Sequence, residues 1–150
     1  MPQKKGLYAA LVVFAGLFIA TQAFGQADII EKRQKAMKAN SADAKAIKAA
    51  VEAKDYATIE VKAKEIMSTA EKIPDLFPKG STKGKTKAKA EIWEKWDEFT
   101  KDASKLKTAS GDLAKAAAAK DHAKVEAGVK AVSSACGGCH KAFRAEKYSE

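Results

Sequence analysis

Arginine is nearly missing from this chain: of 28 basic residues only Arg33 and Arg144 are not lysine. The formal charge of +9 therefore comes from lysine scattered through alanine-rich sequence, which is the makeup of a solvated helix surface. Specific nucleic-acid recognition leans on arginine and on ordered basic patches, so the composition argues against nucleic acid as a partner. Strand signals are missing as well. The sequence has few β-branched runs and is rich in Ala, Lys and Glu, which favour helix. Cysteine is limited to Cys136 and Cys139, and histidine to His122 and His140. That leaves little from which to assemble a four-ligand zinc site.

Long apolar runs are limited to one, Leu7 to Ala20. Lys4 and Lys5 precede it and Ala23-Phe24-Gly25 follows it, the pattern of a secretory signal peptide. Its 14 residues fall short of the roughly 17 needed to span a bilayer. Residues 1–25 are expected to be a cleaved leader, and 26–150 a single exported domain without stable membrane insertion. Cleavage would remove two lysines and leave a charge of +7.

Within that domain apolar residues recur at gaps of three and four. Ile30, Met37, Ala44, Ile47 and Val51 form one stripe, and Tyr56, Ile59, Ala63, Ile66, Ala70 and Ile73 a second. A third runs through Ile92, Trp96, Phe99, Ala103, Leu106 and Leu113; a fourth through Val125, Val129, Val132, Cys136, Cys139 and Phe143. Four amphipathic helices bury such stripes most simply against each other, so an all-α, antiparallel up-down-up-down four-helix bundle is expected. Asp55 and Asp121 stand where short turns need N-caps for the second and fourth helices. Pro74 and Pro78 stop the second helix and open the one long connection. Gly111 falls inside the third stripe, as a tolerated glycine or a break.

The chemistry sits in CGGCHKAFR, residues 136–144. A structural disulfide here closes a tiny loop and constrains the unfolded chain weakly, although export permits it. A thioredoxin-like redox pair wants a βαβ context with the motif at a helix start, and this one lies late in a helix of an all-helical chain. Cys-x-x-Cys-His is also the pattern of covalent haem attachment. Residues i and i+3 lie about a turn apart on one side of a helix, so two thiols can meet the two vinyl groups of one porphyrin. His140 then presents imidazole to the iron. Haem attachment is the favoured reading, with the disulfide as its alternative.

In an up-down-up-down bundle His140 lies about 12 Å from one end and Met37 about 14 Å from the same end. The two are level, with Met67, Trp93 or Trp96, and Phe99 as further expected walls. A thioether from Met37 would complete a His/Met haem suited to electron transfer. Met67 stands one residue off its stripe and reads as packing, and His122 as a surface residue. The lysine-rich segment 79–89 reads as a solvated, flexible loop; its functional version is a collar that steers acidic redox partners.

The motifs RQKAM (33–37), KIPDLFP (72–78), IWEKWDEF (92–99) and CGGCHKAFR (136–144) make the whole exported region resemble the class II c-type cytochromes, that is cytochrome c′ and its low-spin relatives. That resemblance implies one covalent haem c near one end of the bundle, with thioether links at Cys136 and Cys139 and His140 as proximal ligand. It puts Met37 at the distal position, Arg33 near a haem propionate and Arg144 near the proximal side; homodimers occur in the family. Low-spin members place a methionine on the iron, and Met37 points to them. The expected protein is thus a periplasmic electron carrier without catalysis of its own. The alternative is a high-spin cytochrome c′ whose open sixth site binds nitric oxide or carbon monoxide. A haem-free exported helical protein with a CxxC disulfide is the third reading.

Overall fold

The computed structural model describes the backbone of residues 7–148, and the side chains of residues 27–148. The expected leader, residues 1–25, thus lies partly outside the described residues. The described chain is helical: α1 (Leu7–Glu52), α2 (Tyr56–Lys72), a 3₁₀ turn (Pro74–Leu76), a short α3 (Glu91–Glu94), α4 (Trp96–Ala118) and α5 (His122–Phe143). No helix among the described residues is long and apolar enough to cross a membrane.

Two near-identical turns close one end of the bundle. AKDY (53–56) joins α1 to α2, and AKDH (119–122) joins α4 to α5. In each, the lysine takes the left-handed conformation, Lys54 and Lys120 both at φ 54°. Backbone bonds from Asp55 N to Ala50 O and from Asp121 N to Ala116 O satisfy carbonyls of the ending helix. The aspartates then cap the next helix, as the sequence predicts: Asp55 accepts from Thr58 N and Asp121 from Lys124 N. Tyr56 and His122, the first residues of α2 and α5, meet edge to face with centroids 6.3 Å apart.

Next to these turns the core is tight: Ile59, Leu113 and Val125 are wholly buried. α2 packs along α4, α1 along α2, and α4 along α5, whereas α1 and α5 scarcely touch. Gly128 lets α5 approach α4 closely, because a Cβ there would stand 3.2 Å from the Leu113 Cα. Gly111 is tolerated inside α4 and does not break it.

The opposite end is held by aromatic rings. Phe77 meets Phe99 at 4.8 Å and Phe99 meets Phe143 at 5.4 Å between centroids, an edge-to-face geometry that adds to area burial. Two expectations change here. The third stripe is not one helix; it breaks at Lys95 (φ −117°, ψ 48°). The break lets Trp93 aim its indole N–H at the Phe77 and Pro78 carbonyls while Phe99 turns into the core.

The solvated loop expected at 79–89 is instead anchored. Ser81 and Thr86 are buried, Lys89 N donates to Phe143 O, and Ala145 N donates to Lys87 O. An antiparallel bridge between Ala88 and Arg144 ties the loop to the end of α5.

Gly128→Ala is predicted to destabilise the protein by about 1–3 kcal/mol through overpacking against Leu113, despite alanine's better helix propensity. Urea unfolding measures it; wild-type stability in the variant would show that α4 and α5 are not in close contact there.

Candidate functional site

Because α1 and α5 stand apart, a cavity of about 540 Å³ lies between them at the aromatic end. This is within the range of small-molecule and cofactor pockets. Cys136, Cys139 and His140 line it from α5, and Met37, Asn40 and Ala44 from α1. Phe99 and Leu106 of α4 form its apolar floor, and Arg144 and Tyr148 stand at its rim. The methionine and the Cys-x-x-Cys-His segment thus face the same space from opposite helices, as their heights along the bundle predict.

Three other expected walls are elsewhere. Trp96 does not line the cavity; it stacks outside Phe99 with centroids 5.6 Å apart. Trp93 is occupied by the loop carbonyls. Met67, one residue off the α2 stripe, turns into a separate groove beside Gly111 and Lys107. His122 remains at the far end of α5, near Tyr56 and Glu126, so it cannot join the cysteines. Among the described residues no three His, Cys, Asp or Glu side chains come together as a metal site.

The electrostatics separate the readings of the cysteine pair. Both cysteines are free and half-buried. Burial pushes both thiols up, and with added repulsion from Asp102 the Cys139 thiol reaches about 11. A redox-active pair needs the opposite, a depressed thiol. The His140 imidazole is pushed below its ordinary value, first by desolvation and then by the Arg144 guanidinium. That favours the neutral form, with a lone pair available to a metal.

Arg33 supplies the most telling feature of the α1 wall. It is 4% exposed, and its guanidinium donates to Leu76 O at 3.1 Å, to Ser81 O at 3.3 Å, to Ser81 Oγ at 2.6 Å and to Thr86 Oγ1 at 3.4 Å. It also lies 4.2 Å above the Phe77 ring centre. Every one of these partners is neutral, and desolvation lowers its pKa to about 10. Among the described residues it has no carboxylate partner; a buried cation without a counter-ion is costly, and this one borders the cavity. The carboxylates of a haem would supply the missing charge. Asn40, which sequence reasoning missed, adds a second deficit: its Oδ1 is enclosed and has no hydrogen-bond partner. Its only sequence signal is its place seven residues after Arg33 and three after Met37. An apolar slot with two thiols, an imidazole and an unpaired cation fits a haem.

The family model described as Cytochrome C′ matches residues 28–144. The chain belongs to the cytochrome c′ family. Cytochrome c′ of Pararhodospirillum photometricum is 38% identical over 118 residues, which cover 77% of this chain and 94% of that protein. Cytochrome c′ of Rhodopseudomonas palustris is 34% identical over 147 residues (91% and 97%), and cytochrome c-556 of the same organism 30% over 145 (89% and 95%). The crystal structure of cytochrome c′ from Thermochromatium tepidum superimposes with a TM-score of 0.75 at 28% identity, covering 81% of this chain and 97% of that one. A further cytochrome c′, 27% identical with a TM-score of 0.75 and matched over 81% of this chain and 97% of its own, shows ligand-controlled dimer dissociation. As a member of this family the chain forms a four-helix bundle, with the short α3 an added turn before α4. It carries one covalently bound haem c, and it is not an enzyme.

Arg33→Ala is predicted to cost about 1.5–3 kcal/mol, since buried acceptors lose a charged donor. It should also release the loop, so that trypsin cuts after Lys79, Lys83, Lys85, Lys87 or Lys89 faster than in wild type. Equal cleavage rates would show that Arg33 does not hold the loop.

Proposed function

We propose that Cys136 and Cys139 bond the haem and that His140 is the proximal ligand, with the sixth position open on the side of Met37 to a diatomic gas such as nitric oxide or carbon monoxide. Each thiol adds across one vinyl group, sulfur to one carbon and hydrogen to the other, and two thioethers result. When bound, the haem supplies a one-electron iron couple and a coordination position. The chain's own part is to seat and shield it. Phe99 and Leu106 would hold an apolar surface against it, Met37 would line its side toward α1, and Arg33 would take a propionate.

The observation that carries this reading is the match to cytochrome c′ along residues 28–144, which fits the open-site form better than methionine ligation. Met37 is then a shield. The second reading keeps Met37 as sixth ligand and the protein as a plain electron carrier. Its support is that Met37 and His140 line one cavity from opposite helices.

Lys38 and Lys87 line the cavity, and Lys85 and Lys87 lie over the Tyr148 ring at the same rim. Such a lysine collar suits acidic redox partners. We further propose that residues 1–25 direct the chain to the periplasm, and that it pairs with a second copy as the dimeric relative does.

An optical titration of the reduced, haem-loaded protein with carbon monoxide tests the sixth position. Ready binding in wild type, and faster binding in Met37→Ala because the shield is removed, is the expected result. Failure to bind, with a far-red ferric band of sulfur ligation that Met37→Ala abolishes, would establish the second reading instead.

A further inference from the structure

We propose that Asp102, the one carboxylate among the described residues lining the cavity, lowers the reduction potential of the haem from beside the Cys139 link. The inference rests on attachment of the haem at Cys136 and Cys139, and it holds for either reading of the sixth position. Asp102 lies three residues after Phe99 and four before Leu106, on the face of α4 that forms the apolar floor. An apolar residue would continue that floor. Instead an acid stands there, in a lining whose other charged side chains, Arg33, Lys38, Lys87 and Arg144, are cations.

Asp102 pairs with Lys105 at 2.6 Å, and the two charges differ in setting. The carboxylate side chain is 18% exposed and the lysine side chain 58%. A pair made only for helix stability needs no such placement. Asp112 and Lys115, at the same spacing on the same helix, are 65% and 82% exposed. Water screens the outer charge of the Asp102 pair more than the inner one, so the two do not cancel on the cavity side. The Cys139 thiol registers the imbalance: Asp102 pushes it up more than Lys105 pulls it down. A net negative field from this pair therefore acts at the sulfur that would carry the thioether. Reduction takes one positive charge off the iron, so a nearby carboxylate disfavours the ferrous state, and partial burial weakens the screening of that effect. Burial and surrounding groups are means by which a protein sets a haem potential. The His140 imidazole answers to desolvation and to Arg144, so the carboxylate acts on the porphyrin edge and not through the proximal ligand.

The test is the midpoint potential of the haem-loaded full chain, with optical spectra recorded in both oxidation states. Asp102→Asn keeps the shape and should favour reduction about three- to tenfold, a rise of about 30–60 mV. Lys105→Gln should move the potential the opposite way and by less, because it unmasks the carboxylate. Asp112→Asn, which breaks the exposed pair, should leave it unchanged. The Asp102→Asn shift should persist at high salt, and the spectra should be the same in every variant. An unchanged potential in Asp102→Asn, or an equal rise in Asp112→Asn, overturns the role of Asp102 while the haem stays attached. A rise that comes with a changed ligation spectrum overturns it too. If the chain carries no haem on Cys136 and Cys139, the attachment reading itself fails and this inference with it.

Discussion

A bundle can keep a slot between its first and last helices only if something other than their mutual packing holds them. Here that restraint is the Arg33 guanidinium. It reaches from α1 to the 3₁₀ turn after α2 and to the loop that follows, and the loop in turn pairs with the end of α5. α1 and α5 are thus connected across the cavity through the loop without closing on each other. The packed end, with its two AKD turns, sets the helix order. The Arg33 end keeps the walls of the slot at their separation.

The same residue links architecture to charge. A cation buried among neutral oxygens and above an aromatic ring is stabilised by hydrogen bonds, yet its charge is not neutralised. The thiols opposite are pushed toward their protonated form, and the imidazole toward its neutral form. The α5 wall therefore brings no negative charge of its own from these groups. An incoming cofactor with anionic carboxylates, an apolar ring and a metal centre would meet Arg33, the apolar floor and the imidazole respectively.

Much of this was legible in the sequence because it follows from local rules. Apolar stripes at 3.6-residue spacing set the helices, and Asp55 and Asp121 marked two starts, because capping depends on a few neighbouring residues. Met37 and CGGCH could be placed level with each other from rise per residue alone. What escaped depends on rotation and long-range contact. Trp96 sits on its stripe, but the break at Lys95 turns the start of α4 so that Trp96 covers the outside of Phe99. A lysine run looks solvated to composition, and nothing local reveals that Ser81 and Thr86 within it are buried beneath Arg33. Asn40 looks like an ordinary polar residue until the cavity beside it is known.

The central claim is that the slot between α1 and α5 is a haem seat built on Cys136, Cys139 and His140. Intact mass spectrometry under denaturing conditions tests it most directly, on protein made with the machinery that attaches haem. The mass should exceed that of the polypeptide by one haem, and the peptide containing residues 136–140 should carry all of the increase. A bare polypeptide mass, with two free thiols or a disulfide at those positions, would contradict the account.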